Sequence, residues 1–293
     1  MTGLKLGLHL SIASGLAATL AQAKRFRLES LQVFSGNPRT WQTRPFDEAS
    51  AAAFAQGLAE AGISPLVVHA AYLLNLASPK AEIRRRSQKM LLAEMARGRI
   101  LSAAFLVFHP GSHKESGPEV GCRRVAEAIA AALENGPPGI ALAVENTAGG
   151  GGNLGGRLEE LAEILSLANA GERLLVWLDT AHAFQAGYDL SSLEGVADWL
   201  DQAERLFGLE RLAGLHINDS KKALGSGVDR HEHLGRGLIG SRGLSAVLAH
   251  PRLTGLPGIL ETPKMSEVTD RANLKAARRL RSLGRKLFLA RTH

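Results

Sequence analysis

Three histidines and three carboxylates fall within residues 215–237, LHINDSKKALGSGVDRHEHLGRG. His216 closes the apolar run 212–215, where a buried strand would end. Asp229 and His231 stand two apart in a glycine-flanked loop, so both side chains can face one ion if the backbone there is extended. Imidazole together with carboxylate is the donor set that a borderline cation such as zinc recruits. Taken alone, the stretch also reads as a polar surface loop with incidental histidines. The rest of the chain decides between the two, because the same residue types recur at the ends of other apolar runs. They are His69, His109, Glu145, Asp179, His216 and Glu261, spaced 34 to 45 residues apart. His182, three beyond Asp179, joins Asp229 and His231 as a third set of donors. Nine such residues exceed one four-coordinate site and imply a cluster of two or three metals.

The elements that must carry these residues follow from periodicity. Short apolar runs at 4–10, 30–34, 66–69, 105–109, 140–145, 174–179, 212–216 and 258–261 read as strands. Between them, 13–26, 46–61, 80–102, 121–133, 158–170, 193–207 and 241–248 carry helical periodicity. Eight strands each followed by a helix in 293 residues is the arithmetic of an α/β (β/α)8 TIM barrel, with residues 1–293 as a single domain. In that fold all strand C-terminal ends open on one face, where active sites sit. Carboxylates there would be expensive to bury without a compensating cation.

Composition narrows the class. A formal charge of +7 favours an anionic partner such as nucleic acid. Part of that excess is local, since residues 271–293 hold eight Lys/Arg and no acid, which reads either as a solvated helix face with a frayed tail or as a phosphate-tracking patch. The single cysteine, Cys122, excludes an intramolecular disulfide and a Cys-rich zinc knuckle and fits a reducing cytoplasm. No signal-peptide layout or membrane-length apolar run is present, so a cytoplasmic protein with no membrane partner is expected.

Gly150, Gly152 and Gly155 match G-x-G-x-x-G, but after the fifth strand, and read as a flexible loop on the active face instead of a dinucleotide site. Arg39 and Trp41 follow the second strand and Tyr72 and Leu73 the third; each is either core packing or a wedge into a nucleic-acid stack. His9 ends the first strand and could support the ligands, whereas His113, His233 and His250 read as surface residues.

Long motifs then carry a resemblance across nearly the whole chain. Residues 7–11 (GLHLS), 108–112 (FHPGS), 145–149 (ENTAG), 179–183 (DTAHA), 216–221 (HINDSK), 229–231 (DRH) and 260–263 (LETP) resemble the endonuclease IV family of apurinic/apyrimidinic endonucleases, also called family 2 AP endonucleases. The resemblance implies a TIM barrel with three zinc ions, one position being open to manganese. By that likeness His69, His109 and Glu145 hold one metal; Glu145 bridges to a second, completed by Asp179, His216 and Glu261; His182, Asp229 and His231 hold the third. Arg39, Tyr72 and Leu73 correspond to the loop residues that penetrate the duplex. Ala70-Ala71 departs from one common version of the pattern, where a more polar pair follows the histidine.

The activity so implied is zinc-dependent hydrolysis of the phosphodiester 5′ to an abasic site in double-stranded DNA, leaving a 3′-hydroxyl and a 5′-deoxyribose phosphate. Cleaning of blocked 3′ ends would accompany it, and a monomer is expected. Glu145 and Glu261 are the carboxylates expected at the reacting centre, where a bridged metal pair acidifies a shared water. Two readings from other classes stand beside this one. A divalent-metal sugar isomerase or epimerase on a related barrel would need one or two ions and no DNA. A damaged-DNA binding protein with a degenerate site would bind an abasic duplex without nicking it.

Overall fold

The computed structural model describes residues 3–42, 45–263 and 266–290. Within them the strands are β1 (Lys5–Leu10), β2 (Ser30–Phe34), β3 (Leu66–His69), β4 (Phe105–Phe108), β5 (Ala141–Glu145), β6 (Leu174–Asp179), β7 (Leu212–His216), β8 (Asp219–Ser220), β9 (His231–Glu232) and β10 (Pro257–Leu260). All but β8 and β9 pair in parallel around a closed barrel, in the order β1-β10-β7-β6-β5-β4-β3-β2. The short β8 and β9 form an antiparallel ladder inside the loop after β7. The expected fold class is therefore the observed one.

The outer layer comprises α1 (Leu16–Phe26), α2 (Glu48–Glu60), α3 (Ala81–Ile100), α4 (Pro118–Asn135), α5 (Leu158–Ala168), α6 (Thr180–Ala186), α7 (Leu193–Phe207), α8 (Gly240–Ala249) and α9 (Glu267–Leu289). Local chemistry sets several starts. Asp47 caps α2 by accepting from Ser50 N, Ser192 caps α7 by accepting from Gly195 N, and Pro118 occupies the first turn of α4. Gly15, at φ 94°, delays α1 to residue 16, three residues later than the apolar pattern suggested.

Period two along the strands explains how a dry core and a polar site share one barrel. The interior is plugged by Val67, Val107, Ala143, Trp177, Ala213 and Ile259, all buried. Two residues further along, the same inward direction delivers His69 after Val67, His109 after Val107, Glu145 after Ala143, Asp179 after Trp177 and Glu261 after Ile259. His109 and Glu261 lie one residue past their strands, where the expected runs had included them.

Trp177 is the largest member of the plug, and its ring lies 5.3 Å from that of His216. Gly214 makes room for it, since a Cβ there would approach Trp177 to 2.4 Å and Pro257 to 2.7 Å. Gly214→Ala should therefore cost roughly 1–3 kcal/mol through overpacking, read as a lowered denaturation midpoint with unchanged slope; an unchanged midpoint would mean that the plug tolerates the methyl.

The basic C-terminal segment lies largely in α9, and three of its cations are engaged in packing. Arg281 pairs with Glu29 at 2.6 Å and donates to Leu4 O at 2.6 Å; Arg278 donates to Phe26 O at 2.7 Å; Arg271 stacks on Phe26. These partners precede β1 and β2, on the face opposite the strand C-terminal ends. The phosphate-tracking reading of these three cations therefore gives way to the packing one, while residues 291–293 of that segment lie outside the described residues. His250 likewise is no surface residue: it is buried, meets Phe288 edge-on at 5.3 Å, and burial with the nearby Arg252 charge pulls its pKa down to about 4.

Candidate metal centre

All nine candidate donors converge on the C-terminal face of the barrel. Three groups of side chains bring ligand atoms within 4.8 Å of one another: His69, His109 and Glu145; Glu145, Asp179, His216 and Glu261; and Asp179, His182 and His231. Asp229 stands on the exposed loop after β7 with its oxygens 3.4 Å from His182 Nε2 and 3.4 Å from His231 Nε2. Asp179 thus reaches the third group as well as the second. Glu145 and Asp179 are fully buried, and a buried carboxylate costs several kcal/mol unless it is paired.

The hydrogen bonding of the histidines tests whether this set suits a metal. His69 Nδ1 donates to Ala70 O at 2.8 Å, His182 Nδ1 to Asn146 O at 3.0 Å, and His231 Nδ1 to Glu261 O at 3.1 Å. Each therefore turns its Nε2 toward the carboxylates, the arrangement in which a ligating imidazole is oriented by its other nitrogen. His216 is reversed: its Nε2 donates to Gln32 Oε1 at 2.9 Å and its Nδ1 faces Glu145 Oε1 at 2.8 Å. His109 Nε2 lies 3.1 Å from Glu145 Oε2, and His231 Nε2 3.8 Å from Asp179 Oδ2; both nitrogens are buried without a hydrogen bond. Imidazole nitrogens and shared carboxylates gathered around common points are the donor chemistry of divalent cations such as zinc, and the residues fit that group.

Around these donors sits an orienting shell. Asn146 Oδ1 accepts from Asp179 N at 2.5 Å, and Asn218 Nδ2 donates to Asp179 Oδ2 at 2.6 Å while its Oδ1 accepts from Glu261 N at 3.0 Å. Gln32 Nε2 donates to Glu261 Oε1 at 2.5 Å, and His9 Nδ1 meets the same oxygen at 2.9 Å. Sequence reasoning singled out none of Gln32, Asn146 and Asn218 as functional. The available signals were a glutamine inside the apolar run SLQVF and two asparagines embedded in the ligand motifs.

Charge follows from the same geometry. Burial pulls the pKa of His216 down, but the charges of Glu145 and Glu261 outweigh it and carry it from 6.5 to about 9. For His182, burial is again outweighed, here by Asp179, Asp229 and Glu145, and its pKa rises well above the ordinary value. A raised folded-state pKa gives stability that is complete below the unfolded value and is lost as pH climbs through the folded one. Chelator-treated protein should therefore lose thermal stability between pH 6.5 and about 9, as His216 gives up the proton that offsets its carboxylates. A melting temperature flat across that window would show that these histidines are neutral throughout.

A cavity of about 1100 Å³ opens over the cluster, lined by His69, His109, His182, His231 and Glu261 and by Phe34, Tyr72, Ile12 and Phe46. Tyr72 is 63% exposed and packs edge-on against Phe34 at 5.1 Å. Its backbone N–H donates to Pro38 O at 3.1 Å, which joins the loop of Tyr72 and Leu73 to that of exposed Arg39. Trp41, in contrast, is partly buried against the core with Arg86 stacked over it, so core packing is its role. The glycine-rich loop is hydrogen-bonded to its neighbours: Ser112 Oγ donates to Gly151 O at 2.9 Å and His113 N to Gly152 O at 3.0 Å, while Gly150 abuts Gly227 O so closely that a Cβ would meet it at 2.0 Å. Neither His113 nor His233 is a fully exposed surface residue; both are half-buried, and His233 Nδ1 lies 3.1 Å from Asn273 Nδ2. Arg39, Lys114, Lys221, Lys222 and Arg230 are exposed on loops of this face.

The profile of the family described as Xylose isomerase-like TIM barrel matches residues 20–284. A probable endonuclease 4 from Methanosphaerula palustris is 42% identical over 279 residues, covering 94% of this chain and 98% of the relative. The chain belongs to the endonuclease IV family. A probable endonuclease 4 from Chloroflexus aurantiacus is 41% identical over 94% of this chain and 98% of its own. The crystal structure of endonuclease IV from Thermus thermophilus superposes with a TM-score of 0.85 at 39% identity, covering 95% of this chain and 99% of that one. Beyond the endonuclease IV family, D-psicose 3-epimerase from Clostridium cellulolyticum shares the fold alone, at a TM-score of 0.64 and 15% identity. Among the described residues no helix is long and apolar enough to cross a membrane.

Proposed function

We propose that the protein is a zinc-dependent AP endonuclease of base-excision repair, hydrolysing the phosphodiester 5′ to an abasic site in double-stranded DNA. The observation that carries this reading is the convergence of imidazole nitrogens on shared, buried carboxylates in three groups. His69, His109 and Glu145 would hold one ion; Glu145, Asp179, His216 and Glu261 a second; His182, Asp229 and His231 a third, with Asp179 in reach of it. Three zinc ions are assigned, one position being open to manganese because carboxylates suit both. Bound there, the ions would supply a water acidic enough to attack phosphorus at neutral pH and would neutralise the phosphate oxygens.

The chain's own residues do the rest. Buried Glu145 and half-buried Glu261 supply negative charge that keeps the donors assembled. Arg39, Lys221, Lys222 and Arg230 meet phosphates along the duplex, so binding should weaken as salt rises. Exposed Tyr72 and half-buried Leu73 offer an apolar edge beside the cavity, suited to wedging where an abasic nucleotide leaves no base to stack. The products would be a 3′-hydroxyl and a 5′-deoxyribose phosphate, and blocked 3′ ends would be processed at the same site. We assign one catalytic unit over residues 1–293, acting as a cytoplasmic monomer. The sugar-epimerase reading has the fold in its favour, but neither a third donor group nor a cationic rim serves a small neutral sugar. Chelation tests the proposal: stripped protein should leave an abasic duplex intact and recover incision with added zinc. Incision that survives complete removal of metal would overturn it.

A further inference from the structure

Asp219 takes no part in the donor groups, yet it is completely buried. Its carboxylate is met by five backbone amides. Oδ1 accepts from Ser220 N at 2.9 Å, Ile239 N at 3.0 Å and Gly240 N at 3.2 Å; Oδ2 accepts from Gly235 N at 2.9 Å and Gly237 N at 3.0 Å. A concave set of amides of this kind is an anion nest, here filled by the chain's own carboxylate. The amides come from both ends of one long loop, so Asp219 closes its base. Above that base, Asp219 pairs with Glu232 and Ser220 with His231 in the β8–β9 ladder, and Lys221 N donates to Arg230 O at 3.0 Å. Beyond the ladder residues 221–226 are all exposed, and the tip where Asp229 stands is tied to α6 only through hydrogen bonds, Gly225 N to Phe184 O at 3.1 Å, Gly227 N to Gln185 O at 2.9 Å and Gln185 Nε2 to Arg230 O at 2.9 Å, so its placement depends on how the base is set. Gly237 is part of the device: a Cβ there would meet Ser220 O at 2.4 Å and Asp219 Oδ1 at 2.6 Å.

We propose that Asp219 is the positioning residue for the third donor group: by gathering five amides it fixes the loop so that Asp229 and His231 face His182. The inference rests on the metal reading given above, but it concerns the loop, and its test separates the two. Full-length Asp219→Asn keeps the volume and turns an amide N–H₂ toward amide donors. It should lose one ion, with that ion's affinity about 10–100-fold lower, as expected when a group orienting a ligand is removed. His231→Ala should lose the same ion, and Asp219→Asn with His231→Ala should lose no more. In chelator-treated protein, hydrogen exchange of residues 228–233 should accelerate about tenfold or more while the barrel strands keep their protection. Gly237→Ala, which retains the carboxylate, should reproduce the pattern. If both variants keep wild-type exchange in this loop, or if all ions and barrel protection are lost together, the proposal is overturned. If His231→Ala binds as many ions as wild type, the third-ion assignment fails instead, and the exchange result still decides the role of Asp219.

Discussion

Glu145→Gln should reduce single-turnover incision of an abasic duplex by at least about 10³-fold, the upper end of the cost of deleting a single preorganised electrostatic group. Glu145 sits at the centre of the cluster, 3.1 Å from His69 Nε2, 3.1 Å from His109 Nε2 and 2.8 Å from His216 Nδ1. Burial would raise its pKa, but the charges of His216 and His109 outweigh it and hold the carboxyl well below the usual range. The group is therefore an anion at every working pH. Glutamine keeps its shape, removes the charge and turns an N–H₂ toward an imidazole nitrogen that had faced a carboxylate oxygen. Two donor groups contain this residue, so both should lose affinity for their ions. Circular dichroism should stay native, because the barrel plug beneath the site is untouched. Turnover at the wild-type rate would end the assignment of Glu145 as a shared ligand.

Asp179→Asn is expected to cost about 10²–10³-fold in the same assay, and for a separable reason. Its carboxylate belongs to the second and third groups, and Oδ1 also caps α6 by accepting from His182 N at 2.8 Å. Asparagine can keep the cap. What it cannot keep is the acceptor for Asn218 Nδ2, which would then face another amide N–H₂. Metal analysis of the purified variant should show more than one ion missing, whereas His109→Ala should lose a single ion. Equal ion counts in the two variants would mean that Asp179 serves one group only.

Short apolar runs made the barrel legible, because from the third strand onward each run of four to six residues stops at, or one residue before, an imidazole or a carboxylate. His69, Glu145, Asp179 and His216 stand at the very ends of their strands, as the apolar runs implied. The short helix 180–186 carrying His182 was not anticipated, since seven residues give too little periodicity to register. Nor was the β8–β9 ladder, only two residues long on each side and seated over the amides that Asp219 gathers. The tautomers of the histidines lay beyond sequence reasoning altogether. They depend on whether a carbonyl or Gln32 lies behind each ring, and that depends on barrel closure. Trp41 and α9 show the converse limit: an aromatic or a run of arginines looks the same in sequence whether it meets DNA or its own core.

The most direct test is to map the cut. An end-labelled duplex with one abasic-site analogue would be incubated with zinc-loaded protein beside an undamaged duplex. A single incision immediately 5′ to the lesion, leaving a 3′-hydroxyl and absent from the undamaged duplex, is the result predicted by a metal cluster beneath a cavity rimmed with cations. An intact damaged strand, in protein shown to carry its full complement of ions, would contradict it.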